Sequence, residues 1–138
     1  MSKVKCAVRW STFAVVVLVM ILAAGCGSAQ EIKLGIDANN SQVEMEKGQT
    51  LIITLDSNPS TGFSWERAAT EDEALQQVGE VEFRQGPQNK DMVGVGGQQI
   101  LRFKAEKAGQ TALELVYHRP WETEAKPAET FVVQVLVR

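Results

Sequence analysis

The chain has 138 residues, with 14 Lys and Arg against 17 Asp and Glu, one histidine and two cysteines. A formal charge of −3 argues against a nucleic-acid partner, since phosphate contacts need a basic surface. One histidine and two cysteines also leave little material for nucleophilic or metal chemistry.

Lys3, Lys5 and Arg9 give a basic start, and the first acid is Glu31. The apolar run from Thr12 to Ala24 is shorter than the ~20 residues a membrane span needs, which marks a secretory leader. Its end, Leu22-Ala23-Ala24-Gly25-Cys26, resembles a bacterial lipobox, where a cysteine after small residues takes a diacylglycerol. Ala23 departs from the branched residue the strict pattern prefers, and ordinary cleavage with a spare Cys26 thiol is the alternative. On the lipobox reading, residues 1–25 are the leader, 26–30 a lipidated tether and 31–138 a single domain, exported and anchored to the envelope through lipid on Cys26. An amide-linked acyl chain adds to the anchor, and more than one chain holds a protein stably on a membrane. Cys6 leaves with the leader and Cys26 is used by lipid, so no thiol remains for a disulfide, a nucleophile or a metal. The leader also removes three positive charges, taking the mature chain from −3 to −6.

Beyond the tether the pattern is almost all strand. EIKLGI (31–36) alternates, QVEME (42–46) makes a short edge piece, and TLIITLD (50–56) is β-branched as a central strand should be. FSWERA (63–68) sets Phe63 and Trp65 on one face. In TEDEALQQ (70–77), Thr70 and Glu73 have the spacing of a capping box, which predicts at most one helical turn. VGEVEFR (78–84) is strand and RQGPQNKD (84–91) a loop. QQILRFKAE (98–106) turns Leu101, Phe103 and Ala105 inward, and QTALELVYH (110–118) does the same with Leu113, Leu115 and Tyr117. ETFVVQVLV (129–137) closes the chain with Phe131, Val133, Val135 and Val137 inside. Seven or eight short strands with turns about every ten residues predict an all-β, immunoglobulin-like antiparallel sandwich. No inter-sheet disulfide is available, so Trp65 and the aliphatic faces must fill the centre.

Three loops then share a pole by parity. NPST follows the strand 50–56, GVGG precedes 98–106 and HRPWE follows 110–118, with two strands between each loop and the next. If every strand crosses the sandwich, an even count returns the chain to the same end. In the first loop, Pro59 fixes one backbone angle and pushes Asn58 toward extended geometry, while Gly62 permits a positive φ. Ser60 and Thr61 are thereby held at the tip, with less entropy to lose on docking; a plain turn with polar filler is the bland alternative. Gly94-Val95-Gly96-Gly97 offers bare backbone that another surface can approach, or a flexible linker. It is no dinucleotide fingerprint, because Gln99 replaces the last glycine and a strand follows. Arg119-Pro120-Trp121 joins a stiffened loop to two residue types enriched among interface hot spots, unless Trp121 folds back on the core.

These stretches, Asn58-Pro59-Ser60-Thr61-Gly62-Phe63 with Trp65, then Gly94-Val95-Gly96-Gly97, then Arg119-Pro120-Trp121, resemble the chagasin family of papain-like cysteine peptidase inhibitors. Order and spacing are similar across nearly all of 31–138. The resemblance implies an immunoglobulin-like fold and a reversible, cleft-directed inhibitor; a monomer with no cofactor and no metal is expected. It implies that Ser60 and Thr61 cover the peptidase's catalytic cysteine. Trp121 stacks beside the catalytic histidine, and residues 94–97 rest along the other wall. Ser60 stands where threonine is commoner in the family; the missing methyl is worth up to about 1 kcal/mol if buried, which implies weaker inhibition.

An enzyme reading has little support. His118 is the one histidine, Ser60 and Ser64 have no evident activating base, and Glu71-Asp72-Glu73 reads as a solvated face rather than a calcium loop. The remaining alternative is an envelope lipoprotein that uses the same sandwich for adhesion or assembly.

Overall fold

The computed structural model describes residues 30–86 and 96–138. The leader, Cys26 and the first tether residues, the loop over 87–91, and Gly94 and Val95 lie outside the described residues. The strands, in chain order, are β1 (Glu31–Leu34), β2 (Ser41–Met45), β3 (Thr50–Ser57), β4 (Ser64–Arg67), β5 (Leu75–Gln77), β6 (Glu82–Gln85), β7 (Gly97–Ala105), β8 (Gly109–His118) and β9 (Glu129–Val137). One sheet has the order β1-β3-β7, with β5 and β6 both on the far edge of β7; the other runs β2-β9-β8-β4.

Two details differ from a purely antiparallel sandwich read strand by strand. β1 lies parallel to β3 and β2 parallel to β9, because each short N-terminal piece joins the edge of a different sheet. The strand expected over 78–84 is divided instead. Gln77 faces Phe103 and Glu82 faces Ile100, so five residue steps on one side oppose three on the other. That is a bulge of two residues, and Gly79 at φ +72 makes the bend that allows it. β5 and β6 together still carry the chain along β7.

No helical turn forms over 70–77. The Thr70 hydroxyl accepts the Asp72 amide at 3.1 Å, and the Asp72 carboxylate accepts the Ala74 amide at 2.8 Å. Local side-chain bonds of this kind compete with a helix and bend the chain. The bend delivers Leu75, 1% exposed, to the sheet opposite Ala105.

The alternating strands bury the faces their patterns announce. Leu101, Phe103, Ala105, Leu113, Leu115, Phe131, Val133, Val135 and Val137 all lie in one core cluster with Trp65 at its centre. Each large apolar side chain buried there contributes about 1.5–3 kcal/mol, so the core holds the sheets together without a disulfide. Trp65 is 2% exposed, and its indole N–H donates to the Asp56 carbonyl at 2.9 Å, so the ring is buried without stranding its polar atom. Arg67 closes the gap between the sheets by donating to the Leu75 carbonyl at 2.7 Å.

Three acids are titrated downward by this surface. The Thr111 hydroxyl, the Ala74 amide and the Arg67 charge hold Asp72 below 3.8. Lys107 lowers Glu73, and Arg102 with Arg84 lowers Glu82, both from 4.5. A carboxyl depressed in the folded state adds stability above its unfolded pKa and loses it as pH falls through the folded one. The thermal midpoint should therefore drop as pH falls below about 4, where ordinary carboxyls begin to protonate. Asp72→Asn should show a smaller acid-dependent drop; an equal one, followed by circular dichroism, would remove Asp72 from this account.

Candidate functional site: three loops at one pole

Strand register brings the loops together. Ser57, the last residue of β3, faces Gly97, the first of β7. Ser64, the first residue of β4, faces His118, the last of β8, and Tyr117 faces Glu129 at the start of β9. The three connections 58–63, 86–96 and 119–128 thus leave from one end of the sandwich, as parity requires. The described parts of all three are in contact.

The first loop is a single turn of 3-10 helix over Pro59–Thr61, with Pro59 at its start. The Asn58 carboxamide oxygen accepts both the Ser60 amide at 3.2 Å and the Ser60 hydroxyl at 2.6 Å. The Thr61 hydroxyl donates to the Asn58 carbonyl at 2.6 Å. Both hydroxyls are turned back into the loop, which stiffens a tip whose residues Pro59, Ser60 and Thr61 are all exposed. Gly62 ends the turn at φ +80, in the left-handed region.

An aromatic column carries this loop. Tyr117 stacks on the buried Trp65 with centroids 5.0 Å apart and meets Phe63 at 5.3 Å. The Tyr117 hydroxyl accepts the Asn58 amide at 3.0 Å. Arg119 lies over the Phe63 ring, 4.5 Å from its centroid, and donates through Nε to the Thr61 carbonyl at 3.1 Å. Its Nη1 meets the Glu122 carboxylate at 3.2 Å. The Arg119 head therefore braces the first loop against the third, a use that its residue type alone does not reveal.

Trp121 does not fold back. It is 66% exposed, and its ring rests on Gly62: a Cβ at that position would stand 2.3 Å from the indole Cη2. Pro120 beside it is exposed as well. Of the glycine loop, Gly96 and Gly97 are described. A Cβ on Gly97 would lie 2.2 Å from the Arg84 carbonyl, so the bare backbone there serves close packing against β6. Gly96 sits beside Ser57 and Asn58 and joins the second loop to the first.

His118 pairs with Glu66 at 3.1 Å on the rim, and the Ser60 hydroxyl donates to Asn58 instead. Among the described residues no cluster of His, Cys, Asp or Glu is arranged to hold a metal. The pole offers shape, stiffness, backbone and one projecting indole. Sequence reasoning missed Tyr117 and Gln99 as loop supports; the signal in each case was a polar group on a strand face otherwise apolar.

Comparison with known proteins identifies the family. Residues 44–135 match the family described as Chagasin family peptidase inhibitor I42. Chagasin of Trypanosoma cruzi is 30% identical over 96 residues, covering 69% of this chain and 87% of the relative. Amoebiasin-1 of Entamoeba histolytica is 31% identical over 102 residues, covering 74% and 95%. Among solved structures, Amebosin superimposes with a TM-score of 0.63 at 31% identity, over 79% of this chain and 99% of that one. The cysteine protease inhibitor EhICP2 from Entamoeba histolytica gives 0.68 at 24% identity, over 78% and 96%, a likeness of fold. The chain belongs to the chagasin family of peptidase inhibitors. It is a peptidase inhibitor of that family, with an immunoglobulin-like sandwich, and not an enzyme.

Gly62 offers a direct test of the loop contact. Gly62→Ala meets both the indole and a left-handed φ, which costs an L-residue about 1–2 kcal/mol. Urea unfolding should show a loss of that size together with changed Trp121 fluorescence. Unaltered stability and emission would mean that the indole does not rest on this glycine.

Proposed function

We propose that the chain inhibits papain-like cysteine peptidases reversibly, by seating the exposed tip Pro59-Ser60-Thr61 in the active-site cleft. Trp121 anchors one flank and residues 94–97 lie along the other. Asn58, Gly62, Phe63 and Pro120 shape the wedge, and Arg119 braces it. The observation that carries this reading is the side-by-side register of Ser57 with Gly97 and of Ser64 with His118, beneath an indole left two-thirds exposed. A plug needs no reactive group of its own, since the peptidase supplies thiolate and imidazole. A tip already fixed by its own hydrogen bonds loses little entropy on docking. An interface of about 800 Å² per partner, usual for peptidase–inhibitor pairs, suits three such loops. In the same family comparison, PbICP-C has been solved in complex with falcipain-2; its 20% identity and TM-score of 0.51 support the shared fold.

The test is a titration of papain with the domain 27–138. Tight inhibition abolished by a substrate-like competitor is expected; a flat line at micromolar protein would favour the adhesion or assembly role instead. Truncation of an exposed hot-spot indole costs at least about 2 kcal/mol, so Trp121→Ala should raise Ki about 30-fold. Its thermal midpoint should stay put, because the ring lies outside the core.

The proposed location is the bacterial envelope, through lipid on Cys26. β1 runs parallel to β3 with Glu31 facing Thr50, so the described chain enters at the pole opposite the three loops. The Gln30 side chain is bound there by Gln49 at 3.5 Å. A lipid four residues before Gln30 reaches at most about 14 Å, which would hold that pole against the membrane and turn the wedge outward. Cys26→Ser should move the protein from the membrane pellet to the soluble fraction; retention in the pellet would overturn the lipid assignment.

A further inference from the structure

Gln99 is a buried amide, 6% exposed, on the inner face of β7, two residues past the end of the glycine loop and directly before the core pair Ile100 and Leu101. An apolar residue would suit its surroundings, and burying an amide is unfavourable unless it is fully paired. It is fully paired. Oε1 accepts the Trp65 amide at 2.9 Å and the Ser57 hydroxyl at 3.3 Å, and Nε2 donates to the Trp65 carbonyl at 2.6 Å. The side chain thus takes both backbone groups of Trp65 as a neighbouring strand would, reaching from one sheet to the edge strand of the other. Among the described residues, no buried side-chain nitrogen or oxygen lacks a partner.

The partners have a common feature. Ser57 is the last residue of β3 before the first loop, and Trp65 is the second residue of β4 after it. One amide grips both shoulders of the wedge tip, from the strand on which the second loop ends. We propose that Gln99 is a positioning residue for inhibition: it fixes both ends of the first loop against β7 before a peptidase arrives. The inference rests on the cleft-plug reading above. A residue with this role acts on the ordering cost of docking, so its loss raises Ki and mobilises the loop beyond what lowered stability explains.

Gln99→Met, which keeps length and removes all three hydrogen bonds, and Gln99→Glu, which keeps the acceptor and removes the donor, test this in the full chain held in detergent. Val135→Ala, in the core on β9, serves as a control of lowered stability without a loop contact. Amide hydrogen exchange at Ser60, Thr61 and Gly62, and Ki against papain, are read for each. Gln99→Met should speed exchange at those three amides and raise Ki, each at least about tenfold, with Gln99→Glu between it and the parent. Val135→Ala should lower the thermal midpoint with Ki within about twofold of the parent. The proposal is overturned if loop exchange in Gln99→Met matches the parent, if its Ki stays within twofold, or if Val135→Ala raises Ki equally. Should the parent itself fail to inhibit, the cleft-plug reading falls, and exchange at the loop alone decides whether Gln99 fixes its geometry.

Discussion

The stacking of Tyr117 between the buried Trp65 and the half-buried Phe63 is the contact on which the rest of the pole depends. It continues the core into the loops. Trp65 sits among aliphatic side chains from both sheets, and Tyr117 lies on it; Phe63 comes next, then the Arg119 guanidinium. Along this column the environment changes from dry to wet, and the residue types change with it, from apolar ring through phenol to cation. The Tyr117 hydroxyl holds the start of the first loop at Asn58, and Arg119 holds its end at Thr61. Aromatic pairs add about 0.5–1.5 kcal/mol beyond their burial, and a cation over a ring adds a comparable amount. Such energies are small for a fold but large for a six-residue loop.

The division of labour among the polar groups of the pole follows from that column. Asn58, Ser60, Thr61 and Arg119 use their hydrogen bonds on one another. What faces outward is the proline-led turn and the Trp121 indole, whose contact with Gly62 keeps it upright without burying it. A surface of this kind recognises by fit. Recognition by fit accords with membership in a family of peptidase inhibitors.

Strand faces and the meeting of the loops were legible in the sequence because both depend on simple periodicities. Alternation in 98–106, 110–118 and 129–137 names the inward core residues, though not Ile100, buried on the other face of its strand, and parity needs only the order of strands. The Asn58-Pro59 start and Gly62 finish likewise announced a stiff turn with a left-handed end. Less accessible were pairings fixed by distant register. Tyr117 meets Asn58 across 59 residues and Gln99 meets Trp65 across 34. No local pattern records either. The stretch 70–77 misled for a local reason: Thr70 and Asp72 satisfy nearby amides through bends, and the demand for Leu75 beside Ala105 decides against a helix.

The central claim is that this pole fills the cleft of a papain-like peptidase, and occupancy of that cleft tests it most directly. Binding of the chain to papain is measured by calorimetry, first with the cleft open and then with its catalytic cysteine carrying a bulky covalent peptidyl inhibitor. The account predicts strong binding to the open enzyme and none to the filled one. Equal binding to both would place the contact elsewhere on the peptidase and contradict the wedge.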